Sequence, residues 1–134
     1  MIDHHAALIY TMVMVSASDR EMTDRELRQI GEIIRVLPVF EDFAAPSLPT
    51  VSADCAEVLN EADGLEKALA LIEAALPHKL RETAYALACD VAAADGHVQK
   101  EEVRMLEIIR HRLDIERLAA AAIERAARAR FTRL

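Results

Sequence analysis

Two short stretches of the chain concentrate hard oxygen donors. The first holds Asp19, Glu21, Asp24 and Glu26; the second holds Asp95, Glu101 and Glu102, with His97 beside Asp95. Carboxylate oxygens grouped in this way suit divalent cations such as Ca²⁺, Mg²⁺ or Mn²⁺, and an imidazole tilts the second stretch toward Zn²⁺. The run Asp95-Gly96-His97-Val98 permits a direct comparison with an EF-hand loop. If Gly96 takes the sixth loop position, Val98 falls on the eighth and Glu102 on the twelfth, as that loop requires. Its opening fails, because positions one and three become Val91 and Ala93, which cannot ligate through their side chains. The first stretch fails likewise, with Val15, Ala17 and Arg20 at equivalent places.

The same residues have a second reading as helix caps. Thr23-x-x-Glu26 has capping-box spacing, and Gln99-x-x-Glu102 puts a glutamate at the corresponding place, where its carboxylate can accept from a backbone N–H that has no partner within the helix. Asp19 and Asp95 can tie down turn amides in the same way. Both readings stand at the level of sequence.

Nucleophilic chemistry has less to work with. Cys55 and Cys89 lie in apolar, helix-like surroundings with no adjacent basic group to lower a thiol pKa, so both read as free buried thiols. His78 and His111 fall in expected helices as surface or capping residues, and His4 and His5 read as exposed near the terminus. No Gly-rich phosphate loop, HExxH pair or CxxC motif occurs. The expectation is a protein without catalytic turnover.

These residues must be positioned by a chain of 134 residues, enough for one domain with its own core. Apolar types make up 53% of it and charged types 29%, the balance of a globular protein. A net charge of −7 argues against general binding to nucleic acid. The longest apolar stretch, Ala6 to Val15, has ten residues, too few to cross a bilayer. It has no basic leader before it, and a cytoplasmic location is expected.

Three glycines and abundant Ala, Leu, Glu and Arg predict an all-α fold, a single-domain bundle of about seven helices over 1–134. The first helix, about Asp3 to Ser18, is apolar around its circumference, as a central buried helix must be. A second spans Asp24 to Leu37. Pro38 to Ser52 carries three of the four prolines and reads as a connector whose Val39, Phe40 and Phe43 plug into the core. Ser52 is expected to cap a short helix to Asn60, and Asp63 to start another. Pro77 opens a long helix to Ala94, followed by helices over Lys100 to Arg112 and from about Asp114 onward. The inward residues of the last two are expected to include Val103, Leu106, Leu118, Ala122 and Ile123. From Glu116 onward five arginines face two glutamates, a local +3 that leaves −10 on the rest. Cations at a helix C-terminus answer its dipole.

Shifting the sequence by 76 residues sets Val15, Ala17, Asp19, Glu26, Arg28, Ile33 and Leu37 over Val91, Ala93, Asp95, Glu102, Arg104, Ile109 and Leu113. Apolar positions also agree, with Met22 over Val98 and Leu27 over Val103. The pattern predicts a duplicated helical hairpin with halves over 3–37 and 78–113.

The hairpins are similar to those of the tellurite-resistance TerB-like family, in which small residues, an Asp-Gly turn, an apolar anchor and a downstream Glu recur. The resemblance rests on Ala92-Ala93-Ala94-Asp95-Gly96-His97-Val98 with Glu102, and on Ser16-Ala17-Ser18-Asp19-Arg20-Glu21-Met22 with Glu26. Arg20 departs from the pattern where glycine is usual. The resemblance implies an all-helical domain associated with tellurite and chemical-stress response. It also implies a partner protein, including membrane-associated ones, and a divalent metal held by Asp19, Glu26, Asp95 and Glu102, to which the donor chemistry of the second stretch adds His97 as a further ligand. The alternative is an interaction or scaffold domain in which these carboxylates only cap helices.

Overall fold

The computed structural model describes residues 1–17, 22–94, 96 and 98–134. Among these, the chain forms seven α-helices and no strand: α1 (His4–Ser16), α2 (Asp24–Arg35), α3 (Leu48–Leu59), α4 (Gly64–Ala75), α5 (Arg81–Ala94), α6 (Lys100–Arg112) and α7 (Arg117–Arg130). Short 3₁₀ turns lie at Pro38–Phe40, Ala45–Ser47 and His78–Leu80.

A helix that is apolar all round has to be enclosed, and α1 is. Every residue from Ala7 to Val15 is buried, and α2 through α6 all pack against it, α5 most extensively. The fully buried Thr11 hydroxyl at its centre donates from Oγ1 to the Ala7 carbonyl at 2.8 Å, which satisfies that group within the helix itself. The Asp3 carboxylate caps the start by accepting from the Ala6 amide at 2.8 Å. Helix α5 is the second pillar. Its buried Ala84, Ala88 and Ala92 form a stripe of little bulk along one face, and α1 and α7 are the helices that pack against α5 most extensively.

The connector is shorter than its prolines suggest. The sequence reading runs it to Ser52, whereas α3 already begins at Leu48 with Pro49 in its first turn. An amide in the first turn has no acceptor within the helix, so proline there costs no hydrogen bond and starts a helix as readily as it stops one. Ser52 is therefore not a cap. It is buried inside α3, and its hydroxyl has no hydrogen-bond partner. As expected, the aromatic residues of the connector enter the core, with Phe40 buried and Val39 and Phe43 packed against the cluster. The expectation of exposed histidines fails at His5, which is 7% exposed. Its ring stacks on Phe40 with centroids 5.3 Å apart, and its Nε2 lies 2.7 Å from the Val39 carbonyl oxygen and 3.3 Å from Asp42 Oδ1.

Two left-handed residues punctuate the chain. Asp63 (φ 56°) precedes α4, with its side chain making no cap bond. Next to it Gly64 is obligatory: a Cβ there would lie 2.3 Å from the Leu59 carbonyl oxygen and 2.5 Å from that of Val58. Asp114 (φ 54°) closes α6. The Ile115 amide donates to the Arg110 carbonyl at 3.0 Å and the Asp114 amide to that of His111 at 3.1 Å, the bond pair of a Schellman ending. Asp114 thus ends one helix instead of starting the next. Helix α7 begins three residues later, capped by Glu116, whose carboxylate oxygens accept from the Leu118 and Ala119 amides at 3.3 Å each.

Candidate functional site

The two acidic elbows lead into α2 and α6. At the first, the capping box is complete: the Thr23 amide donates to Glu26 Oε1 at 2.8 Å, and the Glu26 amide donates to Thr23 Oγ1 at 3.1 Å. At the second, Glu102 Oε1 accepts from the Gln99 amide at 3.1 Å. Both glutamates therefore hold an amide that the helix itself cannot satisfy. Their surroundings differ. Glu26 is partly exposed, whereas Glu102 is 9% exposed and counts among the few buried charged residues. Gly96 has φ 79°, a conformation that suits glycine in the turn before α6.

Of the proposed ligand set, Asp19, Asp95 and His97 lie outside the described residues. Among the described residues no group of three or more His, Cys, Asp or Glu side chains is placed to hold a metal ion. Glu26 and Glu102 sit at the starts of their helices as the sequence requires, and Asp24 and Glu101 occupy the first turns beside them.

Both cysteines are buried and free. Burial pushes the Cys55 thiol up to about 12. The same cause raises Cys89 to about 12, against a smaller opposing effect from a hydrogen bond with Tyr85. Neither is a thiolate at neutral pH, so neither is an activated nucleophile. The Tyr85 hydroxyl donates to Glu124 Oε2 at 2.5 Å, tying α5 to α7. Burial and this bond hold the Tyr85 phenol well above its usual range. Sequence reasoning missed the pair, because 39 residues separate its members and no local pattern links them. Three ion pairs across the fold escaped it for the same reason: Arg112 with Glu66, Arg112 with Glu73, and Arg130 with Asp90.

Three of the expected inward residues are exposed. Val103 retains 44% of its surface, Leu118 retains 75%, and Ala122 is exposed too. Helical spacing identifies an apolar face, but another element must be present to cover it. Helices α6 and α7 both lie on α5 yet scarcely meet each other. Leu106 and Ile123, half-buried against the core, hold the edges of these helices in place.

No described helix is long and apolar enough to cross a membrane. No curated protein and no solved structure matches the chain. A comparison with known families matches residues 5–126 to "Tellurite resistance protein TerB", a span from the first turn of α1 into α7 that takes in both elbows. The all-helical architecture and this match over nearly the whole chain place it in the TerB tellurite-resistance family.

Proposed function

We propose that the protein is a non-enzymatic, cytoplasmic stress-response member of the TerB family that acts by holding a partner, with its elbow carboxylates serving as helix caps. The observation that supports the capping role is the shared engagement of Glu26 and Glu102, each accepting the backbone N–H of its own N-cap residue. A carboxylate used in this way stabilises the start of its helix by satisfying an amide and by opposing the positive end of the helix dipole. The high thiol pKa values at Cys55 and Cys89 agree with an absence of nucleophilic turnover.

Binding of a divalent cation at the elbows is the second reading. It is supported by the density of oxygen donors in the sequence there, with Asp19 and Glu26 at one and Asp95 and Glu102 at the other, where His97 adds a nitrogen donor. Calorimetric titration of metal-free protein with Ca²⁺, Mg²⁺, Mn²⁺ and Zn²⁺ separates the two. Caps alone give no saturable heat at micromolar metal. A saturable heat that weakens in Asp95→Asn and Glu102→Gln, with helical content unchanged, establishes the cation reading instead.

A further inference from the structure

Charge is unevenly placed along the chain. From Val36 to Glu66 there are seven acidic residues and no Lys, Arg or His, whereas from Arg117 onward five arginines face one glutamate. The fold sends these two stretches to opposite poles. Around α1 the helices form a ring in which α5 touches α2, α2 touches α3, α3 touches α4, α4 touches α6, and α6 returns to α5. Helices α3 and α4 therefore stand across α1 from α5, and α7, whose main partner is α5, extends that far side. An open groove of about 420 Å³ lies between α6 and α7, floored by Tyr85 and Cys89, and on its rim Arg110 and Arg128 are matched by Glu107 and Glu124. The outward face of α7 then adds Arg117 and Arg125 and no carboxylate, so this pole is positive with both rim glutamates charged. Glu116 at the cap is balanced by Arg133 beyond the helix end.

Helix α3 presents the matching surface at the acidic pole. Asp54 and Glu57 are exposed beside Ala53 and Ala56, and among the described residues neither is in an ion pair, whereas Glu61 holds Lys67 and Glu66 holds Arg112. On α7, Arg125 is likewise set among exposed alanines, Ala121, Ala122 and Ala129. Small residues on both helices let their axes approach closely. Arg125 and Arg128 are three residues apart, about 4.5 Å along the helix, and so are Asp54 and Glu57, which lets the two pairs meet one to one. We propose that the protein associates with itself head to tail, the outward face of α7 on one copy docking on the outward face of α3 on the next. Leu118, 75% exposed, gives α7 an apolar edge for this contact that no described residue covers. Both copies carry −7 overall, but a screening length of about 8–10 Å at physiological salt leaves the balance to the charges that meet. Because the two faces lie at opposite poles, the contact has no two-fold symmetry and passes from copy to copy. This inference goes beyond the partner-holding reading of the function and stands without it.

The test is sedimentation equilibrium of the whole chain from about 10 μM to about 1 mM, the range of a small polar contact, at about 0.1 M salt. The weight-average mass is expected to climb with concentration past that of a dimer, and to fall back toward the monomer at about 0.5 M salt. The double variants Arg125→Glu/Arg128→Glu and Asp54→Arg/Glu57→Arg should each stay monomeric. All four side chains are exposed, so helical content should match the parent. Mixed one to one, the two variants should associate again, because each reversed face meets a reversed partner while the untouched faces still match. That recovery also shows that both variants are folded. The proposal is overturned if the parent stays monomeric, if its mass levels off at a dimer, if either variant alone associates like the parent, or if the mixture stays monomeric. A monomeric parent that sediments with vesicles of phosphatidylcholine and phosphatidylglycerol would overturn it too, by giving the α7 face to a membrane.

Discussion

The elbow into α2 and the elbow into α6 carry aligned residues but use them differently. In the first, Met22 and Leu27 pack against the core, and α2 goes on to meet α3. In the second, the aligned Val98 and Val103 stay exposed, because α7 turns onto α5 without closing over α6. Burial runs the other way at the glutamates, with Glu102 buried and Glu26 partly exposed. One local pattern thus yields a closed hairpin in one half and an open one in the other. The deciding factor is where the following helix goes, and the pattern does not encode that.

Paired substitutions can break or sharpen this contrast. The largest effect is expected at Ile109, fully buried where its counterpart Ile33 is only partly so. Ile109→Ala should cost about 2–5 kcal/mol in chemical denaturation, and Ile33→Ala clearly less. Equal losses would mean that the two halves share one packing environment. Next come the elbow residues. Leu27→Ala should cost about 1 kcal/mol, whereas Val103→Ala should stay within about 0.5 kcal/mol of the parent because its side chain is already in water.

A smaller difference is expected at the caps. Glu26→Gln and Glu102→Gln each remove a negative charge from the first turn of a helix, worth about 0.3–1 kcal/mol, and Glu102 should lose more because less water screens it. Thermal melts at low ionic strength measure this, and a larger loss at Glu26 would reverse the assignment. The thiols give the finest comparison. Cys55 and Cys89 both titrate near 12 when folded, above the ordinary thiol value that the unfolded chain regains. Their contribution to stability is therefore complete below about pH 8.5 and declines as pH rises from there toward 12. Native-state alkylation at pH 8 should be slow at both. Cys89 should react first, because it forms the floor of the open groove while Cys55 is enclosed between α1 and α3.

The limits of α6 are legible in its sequence, and those of α1 and α2 nearly so, because caps and three-four spacing are local signals. Local signals also explain the errors. Three prolines in 38–52 read as a linker, although Pro49 sits in the first turn of α3. Asp114 reads as a helix start because aspartate is a common N-cap, yet its left-handed backbone makes it the end of α6. At the elbows, the capping of Glu26 and Glu102 was legible from spacing alone. The groove was not, since Val103 and Leu118 carry the periodicity of buried residues and only the divergence of α6 and α7 leaves them in water. The bond from Tyr85 to Glu124 and the packing of His5 on Phe40 depend on long-range contacts with no sequence signature.

Helix α1 has one more implication. It opens the first half of the chain, yet its largest partner is α5, which opens the second. Cleavage near Ala44 would therefore strand two fragments that each lack an inner wall, and neither should fold by itself in isolation. Mixed in equal amounts, the fragments should rescue one another, each serving as the missing interior of its complement.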